Sequence, residues 1–253
     1  MEGRRSSLLF EQRNSKIFVG QARLKEKIST YRQRMINYYT RLPKGLTTKY
    51  HNPNLHIHGV EVPFRIFVCG ASGSGKTTWL VNLLAHMTGT FDHTTLCCKD
   101  SSEPLYRLLQ SKVPSRQLTV CEGMDQIPAL ESLDPACQHL VIFDDLVLAK
   151  DLSTIQEYFV RGRKVAKGMS CVFLSQTYYR GNGLKTIRQN CNYVVLKKIS
   201  STRDLGMVLS DFPLPISRQD LTDLYGQITR NPLDALLIDI NNSKFRKNFD
   251  ELS

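Results

Sequence analysis

The segment Phe64-Arg65-Ile66-Phe67-Val68-Cys69, followed directly by Gly70-Ala71-Ser72-Gly73-Ser74-Gly75-Lys76-Thr77-Thr78, decides the fold. The first six residues are mostly apolar and predict a buried β-strand. After Lys76, apolar residues recur at helical spacing, at Leu80, Leu83, Leu84 and Met87. The loop between strand and helix matches the pattern G-x-x-x-x-G-K-[ST] in full, in the context that this pattern requires. The segment therefore predicts a phosphate-binding P-loop.

A P-loop holds nucleotide phosphates through its backbone and two side chains. Glycines at positions 70, 73 and 75 let backbone N–H groups approach phosphate oxygens, and the start of a helix favours an anion. We expect Lys76 to bridge the β- and γ-phosphates and the Thr77 hydroxyl to ligate Mg²⁺. The predicted ligands are ATP and Mg²⁺, with residues 70–78, up to Thr78, binding the nucleotide. The alternative is a glycine-rich turn that arose by chance.

A second apolar strand ends in two carboxylates. Leu140-Val141-Ile142-Phe143 leads into Asp144 and Asp145, the pattern of a Walker B strand. We expect Asp144 to hold Mg²⁺, directly or through water, and Asp145 to polarise the attacking water. Hydrolytic P-loop enzymes usually have Glu at the second position. The alternative is an apolar strand that ends in a solvated Asp-Asp turn.

Four further side chains are candidates for catalysis. The strand Phe173-Leu174-Ser175 is followed by Gln176, whose amide can donate to a γ-phosphate and accept from water. Arg161, Arg163 and Arg188 are candidates for an arginine finger, which stabilises transition-state charge on the ATP of a neighbouring subunit. Two alternatives stay open at this point. Gln176 caps a strand end, and the arginines are basic residues favoured at helix C-termini by the helix dipole.

Strand and helix signals alternate from about residue 51 onward, which predicts an α/β fold with a mainly parallel central sheet flanked by helices. Strands are predicted at residues 64–69, 94–98, 118–121, 139–143, 169–175, 193–196 and 235–240. Helices are predicted from residue 76 to about 88, from Pro104, from Ser153 to about Lys164, and from Ser217 onward.

The positive charge of the chain lies mainly in its first fifty residues. Of a formal net charge of +11, residues 1–50 contribute +9 and the other 203 residues +2. We predict a basic N-terminal extension at residues 1–50, partly helical between Gln21 and Tyr39 or disordered, and a P-loop domain at 51–253. The asymmetry favours a polyanionic partner, nucleic acid before membrane. The alternative is a solvated basic tail without a dedicated partner.

Cysteine use and hydropathy indicate a soluble, intracellular protein without a membrane partner. The seven cysteines include no Cys-x-x-Cys pair, and most lie in apolar strand-like runs, which favours a reducing compartment. No run of apolar residues approaches the length of a membrane helix. His51, His56 and His58 suggest either a metal site or, as we prefer, a polar strand edge.

Several blocks in this order resemble one known group. They are the P-loop itself, Val141-Ile-Phe-Asp-Asp-Leu146, Tyr158-Phe-Val-Arg-Gly-Arg-Lys164, Val172-Phe-Leu-Ser-Gln-Thr-Tyr-Tyr179 and Ile187-Arg-Gln-Asn-Cys-Asn-Tyr193. Together they resemble the genome-packaging ATPases of large eukaryotic DNA viruses and Polinton/Maverick-type elements, within the FtsK/HerA superfamily. Two departures stand out: Asp145 replaces the Glu of many members, and Lys164 replaces a frequent His.

The resemblance implies a RecA-like or FtsK/HerA-like P-loop ATPase that forms a pentameric or hexameric ring. Such a ring would drive double-stranded DNA into a preformed capsid, with capsid proteins as further partners. It would act in the cytoplasm or nucleus of the host cell, with association with the virion compatible with that role. The rival functions are a replication-type DNA helicase or translocase, a small-molecule kinase, and a nucleotide-binding switch or scaffold without turnover.

Overall fold

The computed structural model describes residues 36–43, 49–147, 149–179 and 183–252. The contacts divide the chain into two units, residues 1–47 and residues 48–253. In the first unit, the described residues form a 3₁₀-helix at Tyr38–Arg41. Most of the predicted helix between Gln21 and Tyr39 lies outside the described residues. The division into an extension and a P-loop domain near residue 50 stays a prediction.

The second unit contains one mixed sheet of nine strands in the described residues. The strands are β1 Arg65–Cys69, β2 His93–Cys98, β3 Leu118–Glu122, β4 His139–Asp144, β5 Ser170–Ser175, β6 Tyr193–Leu196, β7 Leu236–Asp239, β8 Lys244–Lys247 and β9 Asp250–Glu251. Their order is β3-β2-β4-β5-β1-β6-β7-β8-β9. The first six strands in this order, from β3 at the edge to β6, pair in parallel with their neighbours. The last three, β7, β8 and β9, pair antiparallel. The predicted mainly parallel sheet is confirmed.

Helices connect the strands. They are α1 Leu55–His58, α2 Lys76–His86, α3 Pro104–Lys112, α4 Ser153–Arg161, α5 Leu184–Gln189, α6 Thr202–Asp211 and α7 Arg218–Ile228, with a 3₁₀-turn Gly162–Lys164 after α4. The expected cap of α7 is present, because Ser217 Oγ accepts from the Asp220 N–H at 3.1 Å. At α4, where the spacing of Ser153 and Gln156 predicts a capping box, no such box forms. There the carboxylate of Asp151 accepts from the N–H of Ser153 at 2.8 Å.

The parallel strands are buried on both faces of the sheet. In β1, Ile66 and Val68 pack into one core layer, while Phe67 and Cys69 pack into the other. This burial explains why β1 reads as a continuous apolar run rather than an alternating one.

Strand order brings three chemically important strand ends together. Strand β5 lies between β1 and β4, and the register pairs Cys69 with Ser175 and Asp144 with Leu174. The loops that follow these three strands therefore leave the same edge of the sheet side by side, as ligand sites of open α/β sheets require.

The seven cysteines are free thiols, and six of them are buried. Burial raises the pKa of Cys98 to about 11, and the nearby Asp144 charge adds to this shift. Among the described residues, no helix combines the length and apolar character that crossing a membrane requires.

Candidate nucleotide-binding site

The P-loop is fixed by the strands on either side of β1. The Gly70 N–H donates to the Ser175 carbonyl at 3.1 Å, and the Ala71 N–H donates to the Lys198 carbonyl at 2.8 Å. A Cβ on Gly70 would lie 2.5 Å from Ser74 Oγ, so this position requires glycine. Gly75, at the start of α2, has φ +83°, a left-handed conformation that side chains disfavour. The sequence therefore folds locally into a loop with its backbone exposed to a ligand.

The Lys76 side chain folds back over this loop. Its Nζ donates to the Gly70 carbonyl at 3.0 Å and to the Ala71 carbonyl at 3.2 Å. Since Lys76 is the first residue of α2, its ammonium and the helix N-terminus concentrate positive charge at the same place. The arrangement favours a polyanion such as a triphosphate.

The carboxylate predicted to bind the metal, Asp144, ends β4 and is bound by a tyrosine. The Tyr106 hydroxyl, from α3, donates a hydrogen bond to Asp144 Oδ2. Burial raises the pKa of Asp144, while this hydrogen bond and the Lys76 charge oppose the shift. Burial, and next the Asp144 charge, raises the pKa of Tyr106, so the phenol stays a donor. Tyr106 therefore links α3 to the predicted metal ligand.

A further carboxylate, Glu103, lies beside the same group. It precedes α3, where its carbonyl accepts from the Tyr106 N–H at 2.9 Å. Burial raises the pKa of Glu103, and the Asp144 charge raises it further, whereas a hydrogen bond with Thr77 and the Lys76 charge lower it. The sequence analysis did not select Glu103. The predicted helix start at Pro104 would have placed Glu103 at the end of the loop that follows β2.

The donor set fits Mg²⁺. Mg²⁺ prefers oxygen ligands and is usually held by one or two carboxylates together with substrate phosphates and water. Thr77 and Asp144 would supply the hydroxyl and carboxylate oxygens, with Glu103 close to both. In the described part of the chain, no three His, Cys, Asp or Glu side chains form a metal cluster by themselves. The arrangement thus suits a metal shared with a nucleotide.

Asp145 and Gln176 come together where the paired strands β4 and β5 end. Gln176 Nε2 donates to Asp145 Oδ1 at 3.1 Å. The backbone of Asp145 has φ +54°, an uncommon value for a residue other than glycine. Such strain is a frequent mark of functional positions. The two residues predicted to handle the attacking water are therefore in direct contact.

The three candidate arginines occupy different environments. Arg188 is 3% exposed, its Nε lies 2.7 Å from Asp211 Oδ2, and its Nη1 donates to the Tyr178 carbonyl. Arg161 binds Glu131 and Glu157 of its own chain. Arg163 is exposed and makes no ion pair with the residues that the structure describes.

These environments differ in whether the arginine side chain is free to contact a second copy of the chain. A guanidinium enclosed like that of Arg188 is held within its own subunit, contrary to the hypothesis of an arginine finger at this position. Arg163 lies near the amino edge of the sheet, because the carbonyl of the preceding Gly162 accepts from the Met169 N–H at 3.4 Å, directly before β5 begins beside the start of β1. This edge is opposite the P-loop, so Arg163 is far from the phosphate site of its own subunit.

The histidines do not form a strand edge, which corrects our expectation. His56 and His58 lie in the short helix α1, and His51 lies in the chain before it. His58 is buried, and its Nδ1 accepts from the Val60 N–H at 3.0 Å. Burial, with the charges of His86 and His56, lowers the pKa of His58 to about 4. His58 is thus a neutral structural group.

A buried lysine, Lys197, supports the P-loop from behind and was missed by sequence reasoning. It directly follows β6, is 1% exposed, and its Nζ donates to the Pro232 carbonyl at 2.8 Å. Burial lowers its pKa, and the Asp234 charge opposes this shift. A Cβ on Gly70 would lie 2.6 Å from Lys197 Cβ, so the two backbones pack closely.

A P-loop after β1, an acidic pair after β4 and a polar strand tip on the strand between them define the class: the fold and the site are those of a P-loop ATPase. A family profile described as Poxvirus A32 protein matches residues 55–106. This segment runs from α1 through the P-loop to Tyr106. A comparison with curated proteins found no significant match.

Solved structures of viral packaging enzymes share this fold. The genome packaging NTPase B204 from Sulfolobus turreted icosahedral virus 2, in complex with ATP-gammaS, is 13% identical, with a TM-score of 0.51 over 76% of this chain and 100% of that chain. Its sulfate complex is 15% identical, with a TM-score of 0.53 over 77% and 100%.

B204 from Sulfolobus turreted icosahedral virus, described as a DNA-packaging ATPase, is 13% identical, with a TM-score of 0.51 over 78% and 98%. At these identities the structural likeness shows the fold alone.

Proposed function

We propose that this protein hydrolyses ATP with Mg²⁺ and uses the energy to move double-stranded DNA into a viral capsid. The observation that carries the proposal is the convergence of Lys76, the Asp144–Asp145 pair and Gln176 at one edge of the sheet. The match to the Poxvirus A32 profile supports packaging as the purpose of this ATPase.

The residues of this chain suit distinct steps of hydrolysis. Lys76 would leave the loop carbonyls and bind the β- and γ-phosphates, so that the developing negative charge is stabilised. Asp145 would accept a hydrogen bond from the attacking water and orient it in line with the γ-phosphate. Gln176, already in contact with Asp145, would donate its amide to the γ-phosphate.

Thr77 and Asp144 are the residues that would hold Mg²⁺. Glu103 would contact the metal through a water molecule or orient the Thr77 hydroxyl. The metal, when bound, supplies positive charge to the phosphates. Tyr106 would keep the Asp144 carboxylate pointed toward the site, because its hydroxyl occupies only one of the two carboxylate oxygens.

We propose a homo-oligomeric ring as the active form, with Arg163 as the arginine that serves a neighbouring subunit. Its exposure, and its lack of an ion pair among the described residues, support this choice over Arg188 and Arg161. The basic residues of 1–50 would bind the DNA backbone, since their charge of +9 suits phosphate contacts without sequence preference.

The test is the rate of ATP hydrolysis by the full chain with and without double-stranded DNA. We expect hydrolysis to require Mg²⁺ and to increase when linear double-stranded DNA is added. A forked DNA separates the main rival, because a replication helicase would displace one strand, whereas a packaging motor would move along the duplex. Mg²⁺-dependent binding of ATP without any turnover would instead identify a switch or scaffold.

A further inference from the structure

A buried lysine lies against the P-loop and has no role in the phosphate chemistry described above. Lys197 directly follows β6, the strand that pairs with β1, and it is 1% exposed. Its N–H donates to the Cys69 carbonyl at 2.8 Å, so the pairing of the two strands continues up to the start of the loop. The side chain of Lys197 therefore begins where the P-loop begins.

The Lys197 side chain reaches from the first glycine of the loop to the last. A Cβ on Gly70 would lie 2.6 Å from Lys197 Cβ. A Cβ on Gly75 would lie 3.5 Å from both Cε and Nζ of Lys197. Gly75 directly precedes Lys76, the first residue of α2. One side chain therefore packs against both ends of the loop, and its ammonium group lies at the end where the helix starts.

The ammonium group is incompletely paired. An ammonium carries three donors, but its hydrogen bond within the described residues is to the Pro232 carbonyl, at 2.8 Å. It forms no ion pair with a carboxylate in this part of the chain. The Asp234 carboxylate has other partners, since its Oδ2 lies 2.8 Å from Lys247 Nζ and its Oδ1 accepts from Asn248 at 2.8 Å. Lys197 is therefore a buried cation without an anion bound to it.

Such a cation is costly for the fold. Taking a charge out of water lowers stability unless an ion partner compensates it, and an apolar side chain of similar size often replaces a buried charge at no loss. Burial lowers the pKa of Lys197, which reflects this cost, and the Asp234 charge opposes the shift. Packing alone therefore does not explain a lysine at this place.

A nucleotide on the P-loop would supply the missing negative charge. Lys76 and the N-terminus of α2 concentrate positive charge at the loop, and Lys197 adds a further charge from the side of β6. Because Lys197 is shielded from water, its attraction for phosphates is weakened less by solvent and salt than that of a surface lysine.

We propose that Lys197 is a positioning residue of the phosphate site, an inference that rests on the proposed ATPase function. Its aliphatic chain supports the loop backbone between Gly70 and Gly75, and its ammonium group increases the affinity for nucleotides with more phosphates. Lys197 acts through the loop and its charge, without contact with the transferring phosphate, and so contributes to binding rather than to the chemical step.

The test compares the full chain with Lys197→Met, which keeps an unbranched side chain and removes the charge. Calorimetry with ATP-gammaS, ADP and AMP gives the affinities. Lys197→Met should weaken ATP-gammaS binding about tenfold, ADP binding less and AMP binding least, because Coulomb attraction grows with the charge of the ligand. The KM for ATP should rise while kcat changes less than about twofold, the pattern of an interaction made equally in ground state and transition state.

Two further variants sharpen the test. Lys197→Gln loses the charge but keeps a donor for the Pro232 carbonyl, so it tests the charge even if Lys197→Met does not fold. Lys185→Met removes an exposed lysine charge in the first turn of α5 and is the matched control, with all three affinities unchanged. Without nucleotide, Lys197→Met should unfold at the same temperature as the unchanged protein or higher, because it removes a buried unpaired charge.

ATP-gammaS affinity equal to that of the unchanged protein in both Lys197 variants would overturn the inference. An equal loss of affinity for all three nucleotides, with a lower unfolding temperature, would also overturn it and identify a purely structural lysine, as would failure of both variants to fold. In each case the unchanged protein still binds ATP-gammaS, and the proposed function stands. Absence of ATP-gammaS binding by the unchanged protein would instead refute the proposed ATPase function.

Discussion

The hydroxyl of Tyr106 donates a hydrogen bond to Oδ2 of Asp144, and so joins the helix after β2 to the end of β4. A hydrogen bond to the ionised form of a carboxyl lowers its pKa, and here it counteracts the effect of burial. The protonation state of Asp144 therefore depends on a side chain outside every motif of the chain.

Tyr106→Phe should move the acid limb of the pH–rate profile to higher pH. Without the hydroxyl, the pKa of Asp144 rises further, so the ionised carboxylate that would hold Mg²⁺ forms only at higher pH. The measurement is ATPase rate against pH at several Mg²⁺ concentrations. Tyr158→Phe is the control, because its hydroxyl donates to the Pro128 carbonyl at 2.6 Å away from the site. An identical shift in both variants would contradict a specific effect on Asp144.

Lys76→Ala should reduce ATP turnover on the order of 100-fold or more, because it removes a charge aimed at the transferring phosphate. The domain should stay folded, since the hydrogen bonds of Nζ go to carbonyls of the loop. Turnover and circular dichroism are measured together, with Lys112→Ala, exposed at the end of α3, as the control. Full activity in Lys76→Ala would refute the assignment of this loop to catalysis.

Asp145→Asn should retain ATP binding and lose hydrolysis by about 10²- to 10⁴-fold, the usual contribution of a general base. The amide keeps the size of the side chain but is a poor proton acceptor. Glu103→Gln tests the other carboxylate under the same conditions. If Glu103→Gln needed a higher Mg²⁺ concentration for half-maximal hydrolysis and largely kept the maximal rate, the result would place this residue at the metal. If Glu103→Gln alone abolished hydrolysis, the role of base would pass to Glu103.

Arg163→Ala should be folded and inactive alone, and it should regain activity when mixed with Lys76→Ala protein. Mixed interfaces combine an intact loop from one subunit with an intact arginine from the other. The readout is ATPase rate against mixing ratio. Lack of rescue at every ratio would argue against a role in trans.

Arg188→Ala should behave differently and destabilise the fold by about 3–5 kcal/mol, since it leaves the buried Asp211 carboxylate without its cation. Thermal unfolding measures this loss of stability. A stable but inactive Arg188→Ala protein, rescued by Lys76→Ala, would restore Arg188 as the finger.

Deletion of residues 1–47 should weaken DNA binding and flatten its dependence on salt, while leaving basal ATPase activity intact. The logarithmic slope should change by about 0.9 for each DNA phosphate that the truncated protein no longer neutralises on B-DNA. The deletion should stop before Tyr50, whose ring packs against Gly168. A full-length variant with Gln for each Lys and Arg of residues 1–47 separates charge from chain length. An unchanged slope in both proteins would show that this segment does not hold DNA.

The sequence predicts the P-loop and the Walker B pair because their chemistry is local. The stretch from Gly70 to Thr77 is enough to define the loop, and Asp144 follows its own apolar strand. Gln176 could also be predicted, since its strand is apolar and ends in polar residues. Its contact with Asp145 depends on β5 lying beside β4, which the motifs indicate only by analogy.

Other features depend on contacts between distant parts of the chain. Glu103 approaches Thr77 and Asp144 because β2 lies next to β4, and the order of strands is not written in local periodicity. Arg188 lies at a helix end as expected, but it is buried in an ion pair with Asp211 from another helix. Strand β8 was missed because its charged residues hide the alternation that identifies strands.

The opposite placement of Arg163 and the P-loop would determine how the subunits of the proposed ring contribute to each other's sites. If Arg163 acts in trans as proposed, a subunit offers it from the amino edge of its sheet and binds its neighbour's arginine at the carboxyl edge. Such contacts run head to tail, and they satisfy every subunit when they close into a ring. Every subunit then supplies one arginine to a neighbour's site and has one neighbour's arginine at its own site. A subunit defective in both Lys76 and Arg163 would silence two adjacent sites, whereas one defective in either would silence a single site. When a small fraction of the doubly defective chain is mixed with active protein, the ATPase rate should therefore fall about twice as steeply with that fraction as it does with either singly defective chain.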